Sequence, residues 1–147
     1  MRGHLFQLLV FALLCLSWPA TSRADIAVIV NPDNPVQAMT TREVSDLYLG
    51  RARSFASAGQ NAGTSALLYE QDSPLRDSFF HSLNGMNIRQ LNAYWARLRF
   101  SGEVLPPVVL PDNAAVLEAV KRNRSAIGYV DSSAVNGAVK VVLRLKE

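Results

Sequence analysis

Short apolar, β-branched runs alternate with amphipathic helical segments along most of the chain, and this alternation limits its fold more than any other feature. The runs are IAVIV at 26–30, SALLYE at 65–70, VVL at 108–110, AIGYV at 126–130 and VKVVLRL at 139–145. Strands that alternate with helices in this way form layers, in which helices cover a largely parallel sheet. The sequence therefore predicts an α/β fold with helices flanking a mostly parallel sheet.

Capping residues mark where several of the predicted helices begin. Thr40 is followed by Glu43 at the spacing of a capping box, and Gly50 suits the left-handed position that ends such a helix. Asn87 and Asp112 stand as N-caps before two later helical stripes. These signals predict helices that begin directly after residues 40, 87 and 112.

The remaining helix begins in the stretch SPLRDSFF and is predicted from Ser73 to Asn84. Ser73 is predicted to be its N-cap, with Pro74 at the first helical position, where a missing amide hydrogen is harmless. The first turn of a helix also carries unpaired amides and a partial positive charge, which suit an oxyanion. Because the segment closely follows a strand, it lies where ligands bind in open α/β sheets. Ser73 therefore either only caps its helix or also helps to hold an anion.

The chain starts like a secretory signal peptide. A basic start precedes the apolar run Leu5–Trp18, and small residues follow that run. The run is shorter than the roughly 20 apolar residues that a membrane span needs. Cleavage is expected after Ala24, with Ser22 as the alternative, because a strand begins directly afterwards. This predicts a signal peptide at 1–24, one domain at 25–147, and a periplasmic or secreted protein.

Few groups in the predicted domain suit catalysis or metal binding. The only cysteine, Cys15, and one of the two histidines lie in the leader, so His81 is the single imidazole of the domain. This argues against a metal site of imidazole and thiolate ligands and leaves only an all-carboxylate site open. No hydrolase nucleophile motif and no glycine-rich nucleotide motif occurs in the sequence. We therefore expect neither an enzyme nor a cofactor.

The charge balance argues against nucleic acid or a membrane as a partner of the mature chain. The sequence has 15 Lys and Arg against 12 Asp and Glu, and Arg2 and Arg23 belong to the leader. A nearly neutral domain is unlike a protein that binds nucleic acid or a membrane surface. Arg97 and Arg99, close to Trp95 on the predicted buried stripe, are therefore interpreted as part of a solvated charged helix face.

Three stretches of the chain show a family resemblance when they are read in order. They are AVIVNPDNPVQAMTTREVSDLYLGRARSF, YEQDSPLRDSFF and SAIGYV. Together they resemble the substrate-binding proteins of bacterial phosphate ABC importers, and more closely a short exported family with only part of that periplasmic-binding-protein fold. The resemblance extends from Ile26 to about Val142. It implies a single-lobe, three-layer domain of the type 2 periplasmic-binding-protein class.

The resemblance also implies where a ligand would bind. Full-length relatives hold phosphate between two lobes, with helix-start amides and hydroxyls in a motif of arginine, Ser-Gly-Thr and a later phenylalanine. Ser73 and Phe79 fall on the serine and the phenylalanine, but Pro74 and Leu75 replace the glycine and the threonine. These replacements remove an amide and a hydroxyl, and a hydrogen bond to a charged group contributes about 1.5–3 kcal/mol. The resemblance therefore supports the fold more strongly than the ligand.

The charges around this motif also differ from the family pattern. Where the relatives have an arginine, the chain reads LLYEQD, so Glu70 and Asp72 bring negative charge instead. Arg76, in the first turn of the helix, could compensate, although we expect it to pair with Asp72 or Asp77 at the surface.

The leading hypothesis is a non-enzymatic solute-binding-like protein for phosphate or a related oxyanion, associated with phosphate ABC transport by resemblance. Ser73 and the main-chain amides of Leu75 and Arg76 are expected to form the floor of the site. Thr40 and Thr41 are expected to contribute from the neighbouring helix start. The alternative is a cell-envelope interaction module that has lost ligand binding. Such a module would dock another protein, or a second copy of itself, through the face left by the missing lobe.

Overall fold

The computed structural model describes residues 25–55, 65–102 and 104–147, and the expected signal peptide lies outside these residues. The predicted alternation of strands and helices is confirmed there. The elements are β1 (Ile26–Val30), α1 (Thr41–Tyr48), β2 (Leu67–Gln71), α2 (Leu75–Asn84), α3 (Ile88–Ser101), β3 (Val108–Leu110), α4 (Asn113–Arg122), β4 (Ala126–Asp131), a 3₁₀ turn (Ser132–Ala134) and β5 (Lys140–Leu145). No helix in the described part of the chain is both long and apolar enough to cross a membrane.

The strands form one sheet in the order β3-β2-β4-β1-β5. β2 is parallel to β3 and to β4, whereas β1 is antiparallel to both of its neighbours, β4 and β5. Four of the five strands thus run in one direction, as expected of a mostly parallel sheet, but the sheet is mixed because both pairings of β1 are antiparallel. After β1 the chain turns back alongside β5, where the Met39 amide donates to the Val142 carbonyl at 2.9 Å.

Helices cover both faces of the sheet, which gives the expected three layers. The side chains of Ile26, Val28 and Val30 point into a cluster with residues of α1, α2 and α3. Ala27 and Ile29, which alternate with them along β1, point into a second cluster with residues of α4. Because β1 is covered on both faces, its sequence is continuously apolar rather than alternating.

An aromatic cluster packs α1 and α2 against the sheet near the carboxyl ends of β2 and β4. The rings of Phe79 and Tyr129 are stacked, with centroids 3.8 Å apart. Tyr48 packs edge-on against Phe79, and its hydroxyl donates to the Tyr69 carbonyl at 2.9 Å. The Tyr129 hydroxyl accepts the Gln71 amide at 3.3 Å. These contacts hold the end of β2 in a fixed position beside β4.

Several of the predicted helix ends are confirmed in detail. Thr40 and Glu43 form the full capping box, in which the Glu43 amide donates to Thr40 Oγ1 at 3.2 Å and the Thr40 amide donates to Glu43 Oε2 at 2.7 Å. Asn87 and Asp112 cap α3 and α4 through their side chains. Gly50 follows α1 in the left-handed region, with φ of 71°.

Candidate functional site

A cleft lies where the parallel strands β2 and β4 end and α2 and α4 begin. This carboxyl-edge cleft has a volume of about 370 Å³. It is lined by Gln71, Ser73, Pro74, Leu75, Ser78, Asp112, Asn113, Asp131 and Glu147. Ligands of open α/β sheets bind at this edge, because helix starts and strand ends meet there. The cleft is therefore the candidate site that the fold itself provides.

The floor of the carboxyl-edge cleft is a closed hydrogen-bond network around the buried side chain of Gln71. Gln71 Nε2 donates to Asn113 Oδ1 at 2.7 Å and to the Tyr129 carbonyl at 2.9 Å. Gln71 Oε1 accepts the Ser73 hydroxyl at 3.1 Å. Asn113 Oδ1 also accepts the Asp131 amide at 3.1 Å. Because its polar groups are paired, the floor is rigid and already organised.

The prediction that Ser73 caps α2 with its side chain is wrong. The helix begins at Leu75, and Pro74 occupies the N-cap position with helical dihedrals and no side-chain cap. The Ser73 hydroxyl is instead engaged by Gln71. The first turn is closed by the Ser73 carbonyl, which accepts the Arg76 amide at 3.0 Å. Of the two main-chain amides expected in an anion site, that of Arg76 is therefore already bonded within the protein.

The prediction that Arg76 pairs with Asp72 or Asp77 at the surface is also wrong. Arg76 Nε lies 2.9 Å from Glu70 Oε2, and only 2% of the Glu70 side chain is exposed. Glu70 faces α2 because side chains alternate along β2. Asp77 is used elsewhere, since its Oδ1 accepts the Ile88 amide at 3.0 Å at the start of α3. Arg76 therefore does not line the carboxyl-edge cleft.

Thr40 and Thr41 lie away from the start of α2. Thr40 is held in its own capping box. Thr41 lines a surface depression with Leu83 and Asn84, at the opposite end of α2. A helix rises about 1.5 Å per residue, so the two ends of α2 are roughly 14 Å apart. The structure thus brings together only Ser73 and Leu75 of the five predicted site residues.

The carboxyl-edge cleft is negatively charged. Asp112, Asp131 and Glu147 line it, and no Lys or Arg does so among the residues that the structure describes. Hydrogen bonds from the Ser133 hydroxyl and amide lower the pKa of Asp131, which keeps this carboxylate ionised at neutral pH. The carboxyl-edge cleft is therefore not the electropositive pocket that an anion site would favour.

The sequence reasoning missed the residues that build the cleft floor. Gln71, Asn113 and Tyr129 were not predicted to be near one another, although Gln71 closes one parallel strand and Asn113 follows a capping aspartate. Gln71 and Asn113 could have been identified from the sequence, because each is a polar residue at or just after the end of a predicted strand. No His, Cys, Asp or Glu side chains of the described chain are grouped so that they could hold a metal ion.

Comparison with solved structures shows the fold. A protein from Clostridium perfringens, assigned as a phosphate ABC transporter substrate-binding protein and solved with bound phosphate, has a TM-score of 0.65 and 24% identity. An ABC-type phosphate transport receptor from Vibrio cholerae has a TM-score of 0.63 and 23% identity, and PstS from Borrelia burgdorferi has 0.59 and 14%. No family model matches the sequence, and no curated protein matches it.

These matches cover most of this chain but less than half of each neighbour. They include 81%, 82% and 81% of this chain and 45%, 46% and 47% of the Clostridium, Vibrio and Borrelia chains, in that order. The chain therefore has the fold of one part of a phosphate-transport substrate-binding protein. The resemblance seen in the sequence and the expected α/β architecture are both confirmed at this level.

Proposed function

We propose, from the premise that the chain has the fold of one part of a phosphate-transport substrate-binding protein, that it is an exported, non-enzymatic, solute-binding-like protein. The carboxyl-edge cleft is the observation that carries this proposal. Its floor is organised by paired polar groups, and it lies at the sheet edge where α/β folds bind ligands. The structural neighbours are described as a phosphate ABC transporter substrate-binding protein with bound phosphate and an ABC-type phosphate transport receptor.

The proposed ligand is phosphate or a related oxyanion, bound weakly. Its donors are the Leu75 amide and the Ser73 hydroxyl, whose single hydrogen turns from Gln71 Oε1 to the anion on binding. Arg76 is engaged by Glu70, and its amide is bonded to the Ser73 carbonyl. Two hydrogen bonds to a charged group contribute about 3–6 kcal/mol, and loss of the Ser73–Gln71 bond takes back about 1 kcal/mol. A millimolar dissociation constant corresponds to about 4 kcal/mol. The carboxylates that line the cleft oppose a dianion. We therefore expect millimolar rather than micromolar affinity.

Calorimetry with phosphate, sulfate and acetate tests this proposal. Phosphate should give a saturable heat in the millimolar range, and Ser73→Ala should weaken its binding about tenfold because a charge-assisted bond is lost. Asp131→Asn removes a repelling charge while its side-chain oxygen still accepts from Ser133, so this variant should bind phosphate more tightly. Thr41→Ala, at the other end of α2, is the matched control and should change nothing. No heat from any of the anions at tens of millimolar would refute oxyanion binding.

A second function, an interaction module of the cell envelope, is favoured by one observation. Large apolar side chains are exposed along the segment from the end of α3 to β3: Phe100 is 95% exposed, Leu105 88%, Val109 51% and Val108 46%. Exposed apolar groups concentrated in one region mark interaction surfaces. None of them lines the carboxyl-edge cleft, so a partner protein or a second copy would dock on this segment instead.

Light scattering and cross-linking separate this second function from the first. Self-association should appear as a mass above that of the monomer, and it should be lost in a Phe100→Ser, Leu105→Ser variant. A partner protein should instead be cross-linked in envelope extracts by the unmodified chain and not by that variant. Replacing Lys121 and Glu118 on α4 by serine provides a surface control. A strict monomer that cross-links to nothing would exclude this function.

A further inference from the structure

A second pocket lies between α3, the start of α2 and the edge strand β3. Its volume is about 230 Å³, and it shares no lining residue with the carboxyl-edge cleft. We call it the α3–β3 pocket. The polar residues in its wall are Glu70, Arg76, Asn92, Trp95 and Arg99.

Glu70 contributes a buried carboxylate that is only half paired. Oε2 accepts Arg76 Nε at 2.9 Å, whereas Oε1 is buried and has no hydrogen-bond partner. Leaving such an oxygen unpaired away from water is unfavourable, and more so when the group is charged. The wall of the pocket therefore includes a buried acceptor that lacks a hydrogen-bond donor.

Trp95 contributes an unpaired donor to the same wall. Its side chain is 4% exposed, and its indole Nε1 is buried without a partner. The orphaned acceptor of Glu70 and the orphaned donor of Trp95 do not bond to each other. One molecule with both a donor and an acceptor could satisfy the two atoms together.

The guanidinium groups determine where in the pocket the negative end of such a molecule would lie. Arg76 and Arg99 outnumber the single carboxylate of Glu70 in the wall of the pocket. Arg99 has no ion pair among the described residues, and α3 carries no acidic residue. An anionic group is therefore favoured near Arg99, and a positively charged donor is favoured near Glu70.

The size of the pocket limits the molecule. With a volume of about 230 Å³, the pocket has room for a small organic molecule. A molecule as small as glycine, which has five non-hydrogen atoms, fits this space. Both orphaned atoms are covered, so a side chain of the wall has to move aside as the molecule enters.

We propose that the α3–β3 pocket binds a small zwitterion of the α-amino acid class. Its ammonium group meets Glu70 Oε1, and its carboxylate meets Arg99 and the indole N–H of Trp95. This site is independent of the proposed oxyanion site, because no residue lines both.

Tryptophan fluorescence reports on this pocket directly. The sequence has two tryptophans, and the other one, Trp18, lies in the expected leader. Once the expected leader is removed, Trp95 is the only tryptophan in the sequence that remains. In a preparation that keeps residues 1–24, Trp18→Phe leaves Trp95 as the only tryptophan. The probes are glycine, acetate and ethylammonium, which carry both charges, only the negative charge and only the positive charge.

Glycine should change the Trp95 emission saturably, with at least tenfold tighter binding than acetate or ethylammonium. Arg99→Gln should weaken glycine binding at least tenfold, and Glu70→Gln should do the same without weakening acetate. Arg97→Gln is the matched control, because Arg97 lies on the same helix and does not line the pocket. Ser73→Ala should leave glycine binding unchanged even if it abolishes phosphate binding.

Three results would overturn the proposal. They are no saturable change with glycine at 50 mM or so, equal affinity for glycine and acetate, and equal effects of Arg97→Gln and Arg99→Gln. Arg99 is exposed, so the Arg99→Gln variant is expected to fold. It keeps the test valid even if the Glu70→Gln variant does not fold. Circular dichroism of each variant confirms the fold before titration.

Discussion

The ionisable side chain of Glu70 is buried between α2 and the sheet. Burial raises the pKa of its carboxyl group, and the charge and hydrogen bond of Arg76 oppose that rise without cancelling it. Desolvation thus outweighs pairing at this residue. The ionised form is therefore less favourable in the folded protein than in the unfolded chain.

The pH dependence of stability should reveal this balance. Because the folded pKa of Glu70 is raised above its ordinary value of 4.5, its contribution to stability is most favourable at low pH. That contribution falls as pH rises from about 4.5 through the folded pKa. Other carboxyl groups, such as Asp131, act in the opposite direction, so the comparison is between the unmodified chain and Glu70→Gln.

We expect the unmodified chain to lose stability relative to Glu70→Gln as pH rises above about 4.5. Urea unfolding of both proteins at a series of pH values measures the difference. Glu118→Gln, at an exposed position of α4, controls for the loss of one negative charge. A difference that instead moves in favour of the unmodified chain as pH rises would show that Arg76 outweighs burial.

At the scale of elements, α4 packs directly on β4 because Gly128 has no side chain. A Cβ atom at Gly128 would lie 2.6 Å from Val116 Cγ1 and 3.3 Å from Val120 Cγ2. Both valines are fully buried in the cluster under α4. The distance between this helix and the sheet is therefore set by one residue of the strand.

Gly128→Ala should destabilise the protein by about 1–3 kcal/mol, as overpacking of a filled core does. Gly137→Ala is the matched control, since nothing lies within 4 Å of the Cβ that it would add. The control should change the free energy of unfolding by about 0.5 kcal/mol at most. Chemical denaturation measures the free energy of unfolding of both variants. Similar losses of stability in the two would contradict the close packing of α4.

The start of α1 depends on the capping box of Thr40. Thr40→Ala should cost about 1 kcal/mol of stability, because the Glu43 amide then loses its acceptor. Thr41→Ala, one residue further on and without a cap bond, should cost less. Thermal unfolding compares the two, and an equal effect would mean that the box contributes nothing beyond helix propensity.

At the scale of the whole molecule, the reversed direction of β1 brings the start and the end of the described domain together. Ile26 pairs with Asp131 of β4 and with Leu145 of β5. The Asp25 carbonyl accepts the Ser132 amide at 2.8 Å. The domain therefore begins in an ordered contact beside the carboxyl-edge cleft.

Cleavage after Ala24 would leave this contact intact at the new amino terminus. We predict that the protein recovered from the cell envelope or the medium begins at Asp25. Intact mass and amino-terminal sequencing measure this. Protein that begins at Arg23 would favour cleavage after Ser22, and protein that keeps Met1 would contradict export through this leader.

The sequence by itself determined the order of elements, their approximate ends and three of the four predicted helix caps, the exception being Ser73. Thr40, Asn87 and Asp112 could be identified because each cap acts within about three residues of the chain. The continuously apolar Ile26–Val30 run likewise showed a strand covered on both faces. These features depend on local spacing, which a sequence displays directly.

Only the tertiary structure decided the direction of β1 and the partners of the polar side chains. Gln71 bonds to Asn113 and Tyr129, which are 42 and 58 residues away along the chain. Arg76 had nearer carboxylates in sequence but lies against Glu70, because the pleat of β2 points that side chain toward α2. Such choices depend on sheet register and helix placement, which bring distant residues together and which no local pattern specifies.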